Sequence, residues 1–330
     1  MKAVVINNYG GPEVFSISTV PTPLVKPGHV VIKVKASSVN PADYKMRSSQ
    51  EHAPPETFPL ILHSDCAGVI ESVGDGVESF NVGDSVYAFA TGFAGIPGAL
   101  AEFMLADARM IAKMPNNLSF EEAAVLPCTA VTCWYYLINS ININKETSIL
   151  IMGATGGVGH IALQLAKYRG VFVAAACGSD EKCKLATELG ADAVMNYKTA
   201  SPEDYMKLSP KEQGFDVVLN TPGEPSIDIA VSAAAFGGTI LGIQGEFPSK
   251  TDFVFKWLTY KGRFAAHQIV TKENPSEVGS ILSEISKLIE SGVIKPLIDP
   301  KRFPFSDVSS AHTYAETGSP TGKIVLYQDL

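Results

Sequence analysis

The run Ile149-Leu-Ile-Met-Gly-Ala-Thr-Gly-Gly-Val-Gly159, continuing as His160-Ile-Ala-Leu-Gln-Leu-Ala-Lys167, decides the reading of the fold. An apolar strand enters a glycine-rich turn, after which Val158, Ile161, Ala162, Leu165 and Ala166 recur at the spacing of a helix packed on a sheet. That context is the one a phosphate loop requires. Gly156 lets the backbone approach a pyrophosphate, Gly159 lets helix and strand pack closely, and the helix start offers backbone N–H groups to the anion. Thr155, Gly157 and Val158 complete the loop. Ala154 occupies the first glycine position of the strict G-x-G-x-x-G pattern, so a glycine-rich turn without a ligand is the alternative.

Working outward, short apolar runs alternate with helix-like segments from about Ser119: Val171-Phe-Val-Ala174, Ala193-Val-Met195, Val217-Val-Leu219 and Thr239-Ile-Leu241. Strand–helix–strand repetition of this kind implies a parallel sheet covered on both faces. Upstream the texture differs, with period-two runs such as Val30-Val-Ile-Lys-Val-Lys35 between turns, which suggests an antiparallel β domain. After Phe264, Val278, Ile281, Leu282, Ile285, Leu288 and Ile289 mark one face of an amphipathic helix that begins near Asn274-Pro275. The closing strand-like run, Lys323-Ile-Val-Leu-Tyr327, is expected to pair back into the first domain. The expected division is therefore 1–122 with 266–330 for the β domain and 123–265 for an inserted α/β domain.

A site that prefers NAD places Asp or Glu at the end of the second strand, on the ribose 2′-hydroxyl. Here the strand ends in Cys177-Gly-Ser179, with Lys182 just beyond, and the absence of a carboxylate favours the 2′-phosphate of NADPH. Tyr197, after the next apolar run, is placed to cover the adenosine end. A solvated cation in the first turn of a helix is the competing account of Lys182.

The chain has 330 residues, 46% of them hydrophobic, enough for two cores. A net charge of −8 without a Lys/Arg cluster argues against nucleic acid as a partner. No apolar stretch approaches a bilayer span, and Met1 leads directly into a strand-like segment, so a cytoplasmic protein with no membrane partner is expected. Five cysteines without a C-x-x-C pair read as buried reduced thiols.

Several separate motifs give the chain a family resemblance over nearly its whole length. They are Val39-Asn-Pro-Ala-Asp-Tyr-Lys-Met-Arg47, Ala67-Gly-Val-Ile-Glu-Ser-Val-Gly74, Gly76-Val-Glu-Ser-Phe-Asn-Val-Gly-Asp-Ser-Val86, Ala123-Ala-Val-Leu-Pro127, the phosphate loop, Glu188-Leu-Gly-Ala-Asp192 and Gly322-Lys-Ile-Val-Leu326. In this order they resemble the medium-chain dehydrogenase/reductase superfamily, in its zinc-independent quinone oxidoreductase and enone reductase branch. The resemblance implies a GroES-like β-barrel catalytic domain with an inserted Rossmann domain, an active site in the cleft between them, and a homodimer. It also implies that Thr132, Asn220, Thr221, Gly242, Ile243 and Lys323 line the cofactor.

The zinc alcohol dehydrogenases of the superfamily hold their catalytic metal with Cys, His and Cys. This chain has Asn40, Ser64 and Cys128 at those positions, and His63 stands one residue early, where those enzymes have Gly. One possible ligand does not make a catalytic site, so no metal is expected. Without a Lewis acid, the accessible chemistry is hydride addition to an already activated acceptor, a quinone or an α,β-unsaturated carbonyl compound. The resemblance directs attention to Asn40, Asp43, Tyr44 and Lys45. Many quinone reductases have Tyr at position 45, and the Lys here is closer to the enone-reducing members. A zinc alcohol dehydrogenase and a non-catalytic NADPH-binding protein stay open as the other readings.

Overall fold

The structure, a computed structural model, describes residues 1–49, 58–90, 96–210, 212–223, 226–243, 258–262 and 274–330. The chain divides into two compact units. Unit 1 comprises Met1–Val131, Ala266–Gly292 and Pro296–Leu330; unit 2 comprises Thr132–Ala265 and Val293–Lys295.

In unit 1, β1 (Lys2–Ile6) and β2 (Phe15–Thr19) form an antiparallel pair. The larger sheet contains β3 (His29–Ser38), β4 (Asp65–Val73), β5 (Ser85–Phe89), β6 (Phe103–Asp107), β7 (Ile111–Lys113), β14 (Ile298–Pro304) and β15 (Lys323–Tyr327). Its order is β14-β15-β3-β4-β5-β7, with β6 also on β3. Strand β3 shows why: Lys33 and Lys35 are exposed, while Ile32, Val34 and Ala36 between and beside them are buried, the alternation of a sheet with one face in a core. The closing strand β15 pairs antiparallel with β3, Val325 opposite Ser38 and Tyr327 opposite Ala36. Helix α1 (Pro41–Ser48) leaves the end of β3 with Pro41 in its first turn, where a missing N–H costs nothing. Helices α2 (Phe120–Ala124), α8 (Pro275–Glu290) and α9 (Val308–Glu316) also belong to this unit, and α8 buries Val278, Ile281, Leu282, Ile285 and Ile289.

Helix α3 (Pro127–Trp134) runs from unit 1 into unit 2, so the division falls at 131/132 rather than at 122/123. The reason is local: Ala123 and Ala124 of α2 are wholly buried, and the Cys128 N–H donates to Asp65 of β4 at 2.7 Å. Val293–Lys295 joins unit 2 because the Gln164 carboxamide donates to Lys295 O at 3.0 Å and accepts from Lys295 N at 2.9 Å. The expected boundary at 265/266 lies outside the described residues.

Unit 2 is a parallel sheet of β8 (Ser148–Met152), β9 (Phe172–Cys177), β10 (Ala193–Asn196), β11 (Phe215–Asn220), β12 (Ala234–Gly242) and β13 (Thr259–Gly262). It is connected through α4 (Gly157–Tyr168), α5 (Asp180–Glu188), α6 (Pro202–Lys207) and α7 (Ile227–Ala233). The order β10-β9-β8-β11-β12-β13 reverses direction between β8 and β11, the topological switch point of a Rossmann sheet. Strand β13 was not anticipated: Thr-Tyr-Lys-Gly has no apolar run, and the strand lies at the edge of the sheet as described. Among the described residues no helix is long and apolar enough to cross a membrane.

Candidate active site

The registers align the carboxyl ends of the unit 2 strands. Met152 lies opposite Asn220 and Ala176, Cys177 opposite Asn196, and Asn220 opposite Gly242. The expected cofactor residues of this unit other than Thr132 follow these ends, where an open α/β sheet binds its ligand. After β8, Gly153 turns at φ 72° and its carbonyl accepts from Gly156 N at 2.9 Å. Gly159 passes so close beneath that a Cβ there would stand 2.2 Å from Gly153 O, which only glycine permits. On Gly156 a Cβ would meet nothing nearer than Gly153 O at 3.2 Å, so the far side of the turn is open. The first turn of α4 contains Gly157, Val158 and Gly159 and no acidic residue, and the N–H groups of a first turn have no partner within their helix. Ala154 and Thr155 are buried beneath the turn. This cradle fits a pyrophosphate.

At the end of β9, Ser179 caps α5, its Oγ accepting from Lys182 N at 3.3 Å, with Lys182 in the first turn. Tyr197 N donates to Cys177 O at 3.0 Å, and the Tyr197 hydroxyl lies 2.6 Å from where a Gly178 Cβ would be. Gly178, Ser179, Lys182 and Tyr197 are thus brought together beside β9 and β10. Beyond β11, the Asn220 carboxamide holds its own turn through Gly223 and Ser226, and Thr221 Oγ1 donates to Met152 O at 2.7 Å, tying the switch point shut. Ile243 N donates to Asn220 O, and Thr132 is buried on α3.

Unit 1 holds a buried polar network. The Asp65 carboxylate, wholly buried, accepts through Oδ1 from Cys128 N at 2.7 Å and through Oδ2 from Ser38 Oγ at 2.7 Å and Asn40 Nδ2 at 2.8 Å. Lys323 Nζ lies 3.3 Å from Asp65 Oδ2 and donates to Ser38 Oγ at 2.8 Å, Val39 O at 2.7 Å and Asn40 Oδ1 at 2.8 Å. The ammonium of Lys323, a residue expected to line the cofactor, is enclosed by oxygens of unit 1. Asn40 has both ends of its carboxamide occupied in the same network, and its N–H donates to Asp43 Oδ2 at 2.6 Å. Asp43 is fully buried with no partner for Oδ1, and burial raises its carboxyl to about 7 despite the Asn40 hydrogen bond and the Lys323 charge. Asn40 and Asp43, expected near the acceptor, therefore support the start of α1 from within.

Their neighbours Tyr44 and Lys45 are half-buried, and neither side chain makes a hydrogen bond to a described residue. Desolvation raises the Tyr44 phenol and lowers the Lys45 ammonium, which sharpens Lys45 as a proton donor.

A second chain of contacts runs beside the first. Arg47 Nη1 donates to His312 Nδ1 at 3.0 Å, which leaves His312 to donate from Nε2 to His63 Nε2 at 2.9 Å. The remaining His63 proton, on Nδ1, faces Ser37 Oγ at 3.3 Å. Burial lowers both imidazoles, His312 to about 3 and His63 well below its usual value, so both are neutral. His63 adopts φ 70°, a conformation that costs a side chain on the order of 1–3 kcal/mol and that its two ring contacts offset. Neither Asp65 nor this relay was identifiable as a site in the sequence, because the partners of His63 and Asp65 in the closing segment lie 249 and 258 residues away.

The zinc-ligand positions do not fit a metal. Asn40 is engaged by Lys323 and Asp65, Ser64 offers a hydroxyl, and among the described residues no three His, Cys, Asp or Glu side chains are grouped to hold an ion.

Residues 26–116 match the alcohol dehydrogenase GroES-like domain, and residues 189–326 match the zinc-binding dehydrogenase family, a stretch that contains none of positions 40, 64 and 128. The chain is 36% identical to an NADPH-dependent alkenal/one oxidoreductase of Arabidopsis thaliana, a chloroplastic protein, over 99% of this chain and 79% of that one. It is 33% identical to the quinone oxidoreductase of Mus musculus over 99% and 97% of the two chains. The structure of Escherichia coli quinone oxidoreductase complexed with NADPH superposes with a TM-score of 0.88 at 25% identity, covering 99% of this chain and 100% of that one. With full-length relatives of this kind and a GroES-like unit joined to a Rossmann unit, the chain belongs to the medium-chain dehydrogenase/reductase superfamily, in its quinone oxidoreductase and enone reductase branch.

Proposed function

We propose that this chain is an NADPH-dependent oxidoreductase that reduces quinones or α,β-unsaturated carbonyl compounds, enones and alkenals, by direct hydride transfer without zinc. One observation carries the reading: a phosphate loop at the β8/β11 switch point stands beside a Cys177-Gly178-Ser179 turn with no carboxylate at the end of β9. A carboxylate there selects a free ribose 2′-hydroxyl; without it, the Ser179 hydroxyl and the Lys182 ammonium bind a 2′-phosphate by charge-assisted hydrogen bonds. Tyr197 covers the adenosine, the first turn of α4 holds the pyrophosphate, and Thr132, Asn220, Thr221, Gly242 and Ile243 line the remainder of the cofactor.

When bound, NADPH supplies the hydride from its nicotinamide ring. As the acceptor's β-carbon gains that hydride, the electron pair of its double bond moves toward the carbonyl oxygen, where negative charge develops. Lys45 meets this oxygen with a half-desolvated ammonium, and Tyr44 offers a hydroxyl beside it. A quinone delocalises the charge itself and depends less on the donor. The activities named for the Arabidopsis and mouse relatives support both acceptor classes. A cytoplasmic homodimer is part of the same proposal, and light scattering on the purified protein tests the dimer.

Spectrophotometric NADPH oxidation against a small enone and a benzoquinone, with NADH alongside, tests the reading. NADPH is expected to be preferred, with turnover surviving exhaustive chelation; activity lost to a chelator and restored by zinc would overturn it. Lys45→Met is expected to lower enone kcat about 100-fold, the quinone rate less, and NADPH affinity hardly at all. An unchanged enone rate removes Lys45 from the mechanism.

A further inference from the structure

We propose that Lys323 is a positioning residue: an internal, covalently tethered cation that fixes the segment from which α1, with Tyr44 and Lys45, departs. The proposal rests on the reading that these two side chains meet the acceptor. Three oxygens of consecutive residues, Ser38 Oγ, Val39 O and Asn40 Oδ1, accept from its ammonium at 2.7–2.8 Å, and the Asp65 carboxylate stands fourth at 3.3 Å. Oxygen donors enclosing one positive charge form the kind of cage that otherwise holds a metal ion. Here the cation arrives on a strand of the same chain.

The cage is tied to α1 at several points. Val39 is gripped from both sides, its carbonyl by Lys323 Nζ and its N–H by donation to Ile324 O at 3.1 Å. Asn40 follows directly, extended at φ −114° and ψ 154°, and Pro41 then opens the helix. Extended geometry is what proline imposes on the residue before it, so the helix direction is set at Asn40. Asn40 is held by Lys323 through Oδ1, by Asp65 through Nδ2 and by Asp43 through its N–H, leaving it one orientation. Among the described residues Lys323 is the only cation paired with Asp65, while Arg47, the other buried cation of this unit, is paired with Glu316. Lys323 is 4% exposed and its three N–H donors are engaged within unit 1, which separates this role from that of a cofactor ligand.

The test compares Lys323→Met with Lys323→Met/Asp65→Asn, reading NADPH Kd, enone kcat and KM, and amide hydrogen exchange of residues 39–48. The double variant removes both charges and is expected to fold even where the single change leaves Asp65 uncompensated. Both folded variants are expected to keep NADPH Kd within about twofold, to lose between about 10- and 100-fold in kcat, and to exchange faster over residues 39–48 with no change in unit 2. Three results overturn the proposal: kcat restored in the double variant, which reduces Lys323 to charge balance; a weakened NADPH Kd with kcat intact at saturation, which makes it a cofactor ligand; or unchanged exchange over residues 39–48. Exchange is read without substrate. Faster exchange alongside an unaffected Lys45→Met enzyme would leave the positioning role standing and remove the assignment of the acceptor to α1.

Discussion

The two units solve opposite problems with polar groups. In unit 2 the key donors are backbone N–H groups of one contiguous turn, open on the side where a Gly156 Cβ would find space. In unit 1 the polar atoms belong to side chains drawn from Ser38, Asn40, Asp65 and Lys323, closed off from solvent and satisfied by one another. A backbone cradle stays ready for an anion because the helix supplies its field whether or not a ligand is bound. A buried ionic cluster is tolerated only while every partner is present. Changes in unit 2 should therefore alter affinity, and changes in the unit 1 network should alter stability.

The largest expected effect follows from breaking that cluster. Asp65→Ala leaves Lys323 without its carboxylate and Cys128 N without its acceptor, and should cost about 3–5 kcal/mol of unfolding free energy, measurable by urea denaturation. A loss below 1 kcal/mol would mean that the cluster relaxes or admits water. In unit 2, Lys182→Ala should weaken NADPH binding by about 1.5–3 kcal/mol while leaving NADH binding and the thermal melt of the free protein nearly unchanged. Equal losses for the two cofactors in a fluorescence titration would move the 2′-phosphate away from Lys182.

The third effect is the smallest per pH unit, and it sharpens the comparison by pH. Burial raises the Asp43 carboxyl from 3.8 to about 7, so the folded chain keeps a proton that the unfolded chain releases. Stability is then highest with respect to this residue below about pH 4 and declines as pH rises toward 7. Asp43→Asn removes the titration, and relative to the parent it should gain about 1.4 kcal/mol per pH unit across that window. The buried imidazoles act in the other direction, losing stability as pH falls from 6.5 toward 3, and they are common to both proteins, so the difference between the two melting profiles isolates Asp43. Parallel profiles would show that Asp43 is ionised throughout.

What was legible in the sequence follows from the same contrast. The phosphate loop, the strands after it and the closing strand itself are written in local periodicity, and the structure has each of them. The motif that carries Lys323 does not show its neighbours. Its partners, Ser38 to Asn40 and Asp65, lie more than 250 residues earlier, and no spacing rule links a terminal lysine to them. Asn40, Asp43, Tyr44 and Lys45 were expected together near the acceptor, and which of these four point inward depends on how α1 packs: Asn40 and Asp43 are buried, Tyr44 and Lys45 half-buried.

The closing strand has a consequence for the order in which the molecule can be made. The six strands described in unit 2 have been synthesised by Gly262, so this sheet can assemble while later residues are still being added. Asp65 emerges from the ribosome early, but the only cation it pairs with among the described residues is Lys323, on the last strand. Segments of unit 1 flank unit 2 in the chain, so a nascent chain stalled before β15 would leave Ala36 to Ser38 of β3 without their partner strand and Asp65 without Lys323.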